Sequence, residues 1–161
     1  MMAITPLPRP KGETYVIKGQ LKGDYEPDRI ILFDGRFDTA FRVIQFIIAP
    51  NKITCNSDVS CNAKLTTEDP KTFGSFGDWD WQDSREIGWA SWYQYSTNKP
   101  DNQQAIIDPE NLIIEDLWVC AKSLEDGDDM GVNYMIVMEK YKIRQEEGTL
   151  TYIRNRGQDV Q

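Results

Sequence analysis

Apolar residues in this chain recur every second position, in runs of four to twelve residues broken by turn formers. The run "VNYMIVMEKYKI" (132–143) is the cleanest case. "ETYVIKGQLKG" (13–23), "RFDTAFRVIQFIIAP" (36–50) and "REIGWASWYQYS" (85–96) repeat the pattern. Side chains on a strand point alternately to its two faces, so this period is the signature of half-buried β-strands. Only "RQEEGTLTYIRNRGQ" fits a helix, over about 148–156, with Leu150 and Ile153 on one face and Gly157 at the C-cap. Crossover helices are missing, which disfavours an α/β fold. The expected class is all-β, an antiparallel β-sandwich of jelly-roll type with one short C-terminal helix.

With 161 residues the chain has length for one domain. Residues 1–12 carry Pro6, Pro8 and Pro10 and read as an extended arm, and 13–161 as one sandwich. Asp34-Gly35 is a strong turn dipeptide, so Arg29–Phe33 is expected to form a hairpin with Phe37–Ile48. "WDWQD" and "REIGWASWYQYS" read as two strands joined at Asp83-Ser84. A minor strand is expected near Lys64–Thr67, and a strand over about Leu112–Ala121. On the last strand, either Tyr134, Ile136 and Met138 or Met135, Val137 and Tyr141 form the buried face.

The absence of histidine removes every Ser-His-Asp or Cys-His catalytic set and every histidine-containing zinc site. No phosphate loop, dinucleotide fingerprint or nucleophile elbow occurs. The chain is therefore expected to be neither an enzyme nor a cofactor binder. A net charge of −8 repels phosphate backbones and argues against nucleic acid. No apolar run is long enough to cross a membrane, and the first residues lack a signal-peptide pattern. The three cysteines, Cys55, Cys61 and Cys120, read as reduced thiols, a local Cys55–Cys61 disulfide being the geometric alternative.

Two clusters merit weighing. "EDGDDMG" places Asp126, Asp128 and Asp129 together as calcium candidates, although the spacing is not that of an EF-hand, and an acidic hairpin loop is the plainer reading. "FGDWDWQDSREIGWASW" (76–92) holds four of the five tryptophans, with Asp78, Asp80, Asp83 and Glu86 among them. Alternation places Trp79, Trp81 and Trp89 in one aromatic layer and turns Trp92 the other way. A sandwich core explains such a layer; a sugar platform or protein interface is the functional alternative. Trp92, Tyr93 and Tyr95 are the candidate exposed rings, and the neighbouring acids read as a solvated turn rather than a glycosidase pair.

"LFDGRFDTAFRV", "SREIGWASW", "DPENLIIEDLWV" and "VNYMIVMEKYKI", closed by "YIRNRGQ", together resemble the small β-sandwich virion proteins of marine bacteriophages, from about Gly19 onward. The resemblance implies a structural role as a coat, capsid-decorating or minor virion subunit. Such a protein is made in the host cytoplasm and located in the virion, with itself and other virion proteins as partners. Pro6, Pro8 and Pro10 of the arm and Trp92, Tyr93 and Tyr95 are then the expected interface residues. The arm has only Arg9 and Lys11 as basic residues, which fits an outward position better than a genome-lining one. The alternative is a carbohydrate- or ligand-binding β-sandwich module, with a glycan as partner.

Overall fold

A computed structural model describes residues 13–33, 35–52, 58–72, 77–95, 102–125, 130–144, 148–151 and 153. Among the described residues eight strands are present: β1 (Thr14–Leu21), β2 (Asp28–Ile31), β3 (Thr39–Pro50), β4 (Val59–Thr66), β5 (Glu86–Gln94), β6 (Asn102–Ile107), β7 (Asp116–Glu125) and β8 (Val132–Lys142). They form a three-stranded sheet ordered β1-β8-β3 and a five-stranded sheet ordered β2-β7-β4-β5-β6. Every pairing is antiparallel. The expected antiparallel sandwich is what the chain adopts, and residues 148–151 and 153 supply the short C-terminal helix. The remainder of that expected helix lies outside the described residues.

The core fills the space between the sheets. From the three-stranded sheet come Val43, Phe46, Ile48, Tyr134, Ile136 and Met138. Val59, Cys61, Ala63, Leu65, Ala90, Leu117, Val119 and Ala121 face them from the other sheet. Of the two candidate faces of β8, burial selects Tyr134, Ile136 and Met138. Four alanines, Ala121, Ala63, Ala90 and Ala105, stand in register across β7, β4, β5 and β6. Ala121, Ala63 and Ala90 are buried, and their small side chains let β3 come close to β4 and β5, whereas Ala105 on β6 is exposed.

On β3 the register slips between Val43 and Gln45, and Ile44 is the extra residue of a bulge. The bulge resets the phase, so Val43 and Phe46, three apart, both point inward. A second, smaller core gathers Ala40, Leu112, Ile114 and Ile143 under Phe33 and Phe37. Beside it the C-terminal helix starts in close contact with the chain: a Cβ at Gly148 would lie 1.6 Å from the Phe37 carbonyl oxygen. Only glycine fits that approach.

Three expectations need correction. The turn after β2 does not close a hairpin, because β2 pairs with β7 while β3 pairs with β8. Gly35, at φ 86°, turns the chain at a corner that carries it from one sheet to the other. "WDWQD" is a loop rather than a strand. The minor strand at Lys64–Thr67 is in fact the eight-residue β4, which pairs on both sides within the larger sheet.

Candidate functional site

Two regions of the five-stranded sheet stand apart from ordinary packing: a cleft on its outer face and the outer edge at β6. The cleft is built by alternation. While Val59, Cys61, Ala63 and Leu65 face the core, Lys64 of β4, Cys120 of β7 and Trp89 of β5 are carried to the outer face, where Lys64 is in register with both. The loop 77–85 folds over them. Paired Asx turns shape it: the Gln82 amide donates to Asp80 Oδ1 at 3.0 Å and the Arg85 amide to Asp83 Oδ1 at 3.0 Å. Arg85 also grips Asp83 with Nε and a terminal nitrogen, at 2.9 and 2.7 Å. Those hydrogen bonds, more than any other cause, hold the Asp83 carboxyl below its usual range.

Under the loop, Lys64 Nζ lies 2.5 Å from Glu86 Oε1, with both side chains almost wholly buried. Lys64 donates a further bond to the Asp78 carbonyl at 2.7 Å. The other carboxylate oxygen, Glu86 Oε2, accepts from Trp89 Nε1 at 2.8 Å and from the Asp80 amide at 2.9 Å. Glu86 is thus a buried structural anchor and not part of the solvated turn that its acidic surroundings suggested. With Asp83 held by Arg85 and Glu86 by Lys64, neither acid is placed as half of a glycosidase pair.

The cleft beside this cluster has a volume of about 390 Å³ and is walled by Tyr25, Asn62, Lys64, Trp79, Cys120 and Lys122. Tyr25 is held at φ 70°, left-handed backbone that a non-glycine residue adopts only at a cost. Its ring receives the Lys122 ammonium at 5.5 Å. Burial pushes the Cys120 thiol up to about 11, so it stays protonated at neutral pH and is no nucleophile. We expect Cys120 to be alkylated by iodoacetamide far more slowly in the native protein at pH 8 than in urea. Peptide mapping by mass spectrometry reads this directly, and equal rates would contradict the buried, protonated thiol.

The tryptophans divide among three roles. Trp81 tilts against Trp89 with ring centroids 5.3 Å apart, and this much of the aromatic layer forms. Trp79 instead walls the cleft and is 42% exposed. Trp92 does face opposite Trp89, but that direction is inward: it is half-buried, packs on the main core, and is not the exposed ring expected. Its indole nitrogen is buried without a hydrogen-bond partner among the described residues. Tyr93 and Tyr95 stack at 6.5 Å, with Tyr93 exposed. Because Trp89 donates to a buried carboxylate and Trp92 donates to nothing described, Trp89→Phe should cost about 1–3 kcal/mol more than Trp92→Phe. Urea denaturation of the two variants measures the difference, and equal midpoints would remove the Trp89–Glu86 bond from the account.

At the other end of the sheet, β6 reads "NQQAII" and is exposed along its length except at half-buried Ile107. Among the described residues no strand pairs with its outer edge. Pro6, Pro8 and Pro10, the calcium candidates Asp126, Asp128 and Asp129, and Cys55 lie outside the described residues. Among those described, no three metal-ligating side chains cluster, and no helix is long and apolar enough to cross a membrane.

No protein-family model matches the chain, and no curated protein does. Among solved structures it is similar to VP1 of Trichodysplasia spinulosa-associated polyomavirus, determined in complex with GM1 oligosaccharide. The identity is 8% and the TM-score 0.45, over 88% of this chain and 100% of that one.

Proposed function

We propose that this chain is a non-enzymatic structural protein of a virus particle, a coat, capsid-decorating or minor virion subunit, that works by self-association. The observation that carries the reading is the outer face of the three-stranded sheet. Val16 stands 53% and Ile44 46% exposed there, beside half-buried Ile47, Met135 and Val137. A lone subunit would place polar side chains at such positions; a contiguous apolar stripe with a polar rim marks a contact surface. The chemistry of the cleft agrees with a non-enzymatic role, since Lys64 is ion-paired, Lys122 lies over the Tyr25 ring and the Cys120 thiol is protonated.

Sedimentation velocity at micromolar concentration tests the reading. A defined oligomer or shell is expected, together with copurification with particles detected by mass spectrometry. Deleting residues 2–12 should weaken assembly and leave the circular-dichroism spectrum intact, because β1 begins after them. A chain that stays monomeric and never accompanies particles would rule the proposal out.

A ligand-binding module is the second reading, favoured by one observation: Tyr25 is held in costly backbone geometry at a cleft that also presents Trp79 and Asn62. An aromatic wall with an amide beside it suits a neutral sugar ring. Quenching or enhancement of tryptophan fluorescence by oligosaccharides, abolished by Trp79→Ala, would favour this reading over the first.

A further inference from the structure

We propose that β6 is the strand through which two copies of this chain join, edge to edge and antiparallel across a two-fold axis, so that their five-stranded sheets run on as one. This rests on the self-association reading above and names its contact.

The backbone phase supplies the first part of the argument. The Asp108 amide donates to the Ile87 carbonyl at 2.9 Å, and the register continues through Trp89↔Ile106 and Ser91↔Gln104. In an antiparallel pair the bonded residues alternate. The even-numbered residues of β6 therefore bond to β5, and the amides and carbonyls of Gln103, Ala105 and Ile107 point away from it. They form a row of donors and acceptors with the spacing of a strand waiting for a neighbour.

Comparison with the other edges supplies the second part. Exposed edges are normally blunted by charge, proline, bulges or a covering segment. β1 carries Lys18, and β2 carries Asp28 and Arg29. The outer edge of β3 is covered at Phe41 and Val43: Phe41 exchanges backbone bonds with Ile113 at 2.7 and 2.8 Å, and the Asn111 side-chain amide bonds both the amide and the carbonyl of Val43. Among the described residues β6 has none of these guards. It holds no charge and no proline, in a chain whose net charge is −8.

The sequence of β6 is also self-complementary. With the axis at Ala105, that residue faces its own copy, Gln103 faces Ile107, Gln104 faces Ile106, and Asn102 faces Asp108. No like charges meet across the axis. An isologous contact of this kind closes on itself as a dimer, the simplest building unit for a larger symmetric shell.

Two variants test it. Ala105→Pro removes an amide that points away from β5, so it spares the β5–β6 bonds and blocks the outer edge. Ala105→Lys sets two ammonium groups against each other at the axis and leaves the backbone unchanged. Each should raise the dissociation constant of the β6 contact about a hundredfold or more, since like charges in an interface, or a lost ladder bond at its centre, are costly. Sedimentation velocity gives the masses and circular dichroism confirms the fold. A wild type that dimerises while both folded variants are monomeric supports the proposal, and added salt should partly restore the lysine variant. If wild type and variants assemble alike, β6 is not the contact and self-association stands on other surfaces. A wild type that is monomeric throughout takes down the self-association reading and the edge with it.

Discussion

Replacing Phe46 by alanine should destabilise the protein by about 3–5 kcal/mol, a large part of the stability of an ordinary domain. Phe46 is fully buried and stands opposite Ile136 on β8. It belongs to the strand that comes close to β4, β5 and β6, so its ring lies where the two sheets meet. Truncation removes apolar area and leaves a cavity that two hydrogen-bonded sheets cannot close. The neighbouring Ile44, the bulge residue, is 46% exposed, and Ile44→Ala should cost well under half as much. Urea denaturation of the pair reads both effects. If Ile44→Ala proved the costlier, the phase assigned to β3 would be reversed.

That bulge also shows where sequence reading stops. A strict period of two through "FRVIQFII" puts Val43 and Phe46 on opposite faces, and only an inserted residue brings them together. β8 was legible because its alternation is unbroken, although both of its faces are apolar and the choice between them belongs to the packing. The β2–β3 corner misleads for a different reason. A glycine turn between two apolar runs looks the same locally whether the chain returns along its own sheet or crosses to the other; long-range pairing with β7 and β8 decides. β4 is under-read because Asn62 and Lys64 interrupt its apolar run, and the loop that buries Lys64 comes later in the chain. "WDWQD" has the period of a strand, yet its aspartates bond to backbone amides and fold the segment into turns. The tryptophans were legible as a group. Their separate roles were not, because those depend on which strand lies beside each. Of the cleft, the sequence marks Trp79 with the acids near it and the thiol of Cys120; Tyr25, Asn62, Lys64 and Lys122 lie outside the tryptophan cluster and carry no motif.

Removing the carboxylate of Glu86 should cost about as much as losing a core ring, roughly 3–5 kcal/mol, because it strands a buried lysine charge. Three donors converge on Glu86: Lys64 Nζ, Trp89 Nε1 and the Asp80 amide. Glu86→Gln keeps the shape and tests charge alone. It should be nearly as damaging as Glu86→Ala, since Lys64 is 3% exposed and has no bulk water to turn to. Lys64→Met by itself strands the opposite charge and should cost a similar amount. The double variant, Lys64→Met with Glu86→Leu, removes both charges, and buried ion pairs replaced by apolar groups of like volume are often close to neutral. What remains to be lost includes the bonds from Trp89 and Asp80 to Glu86 and the bond from Lys64 to the Asp78 carbonyl, so the double variant should be more stable than either single one and still below wild type. A double-mutant cycle of denaturation midpoints, with Trp89 fluorescence reporting on the loop, makes the comparison. Costs that simply add would show that the pair does not interact, and the loop 77–85 would then need another anchor. The expected non-additivity means instead that the ion pair fastens the loop over the outer face, and that the cleft beside it exists because two charges 22 residues apart are neutralised beneath its wall.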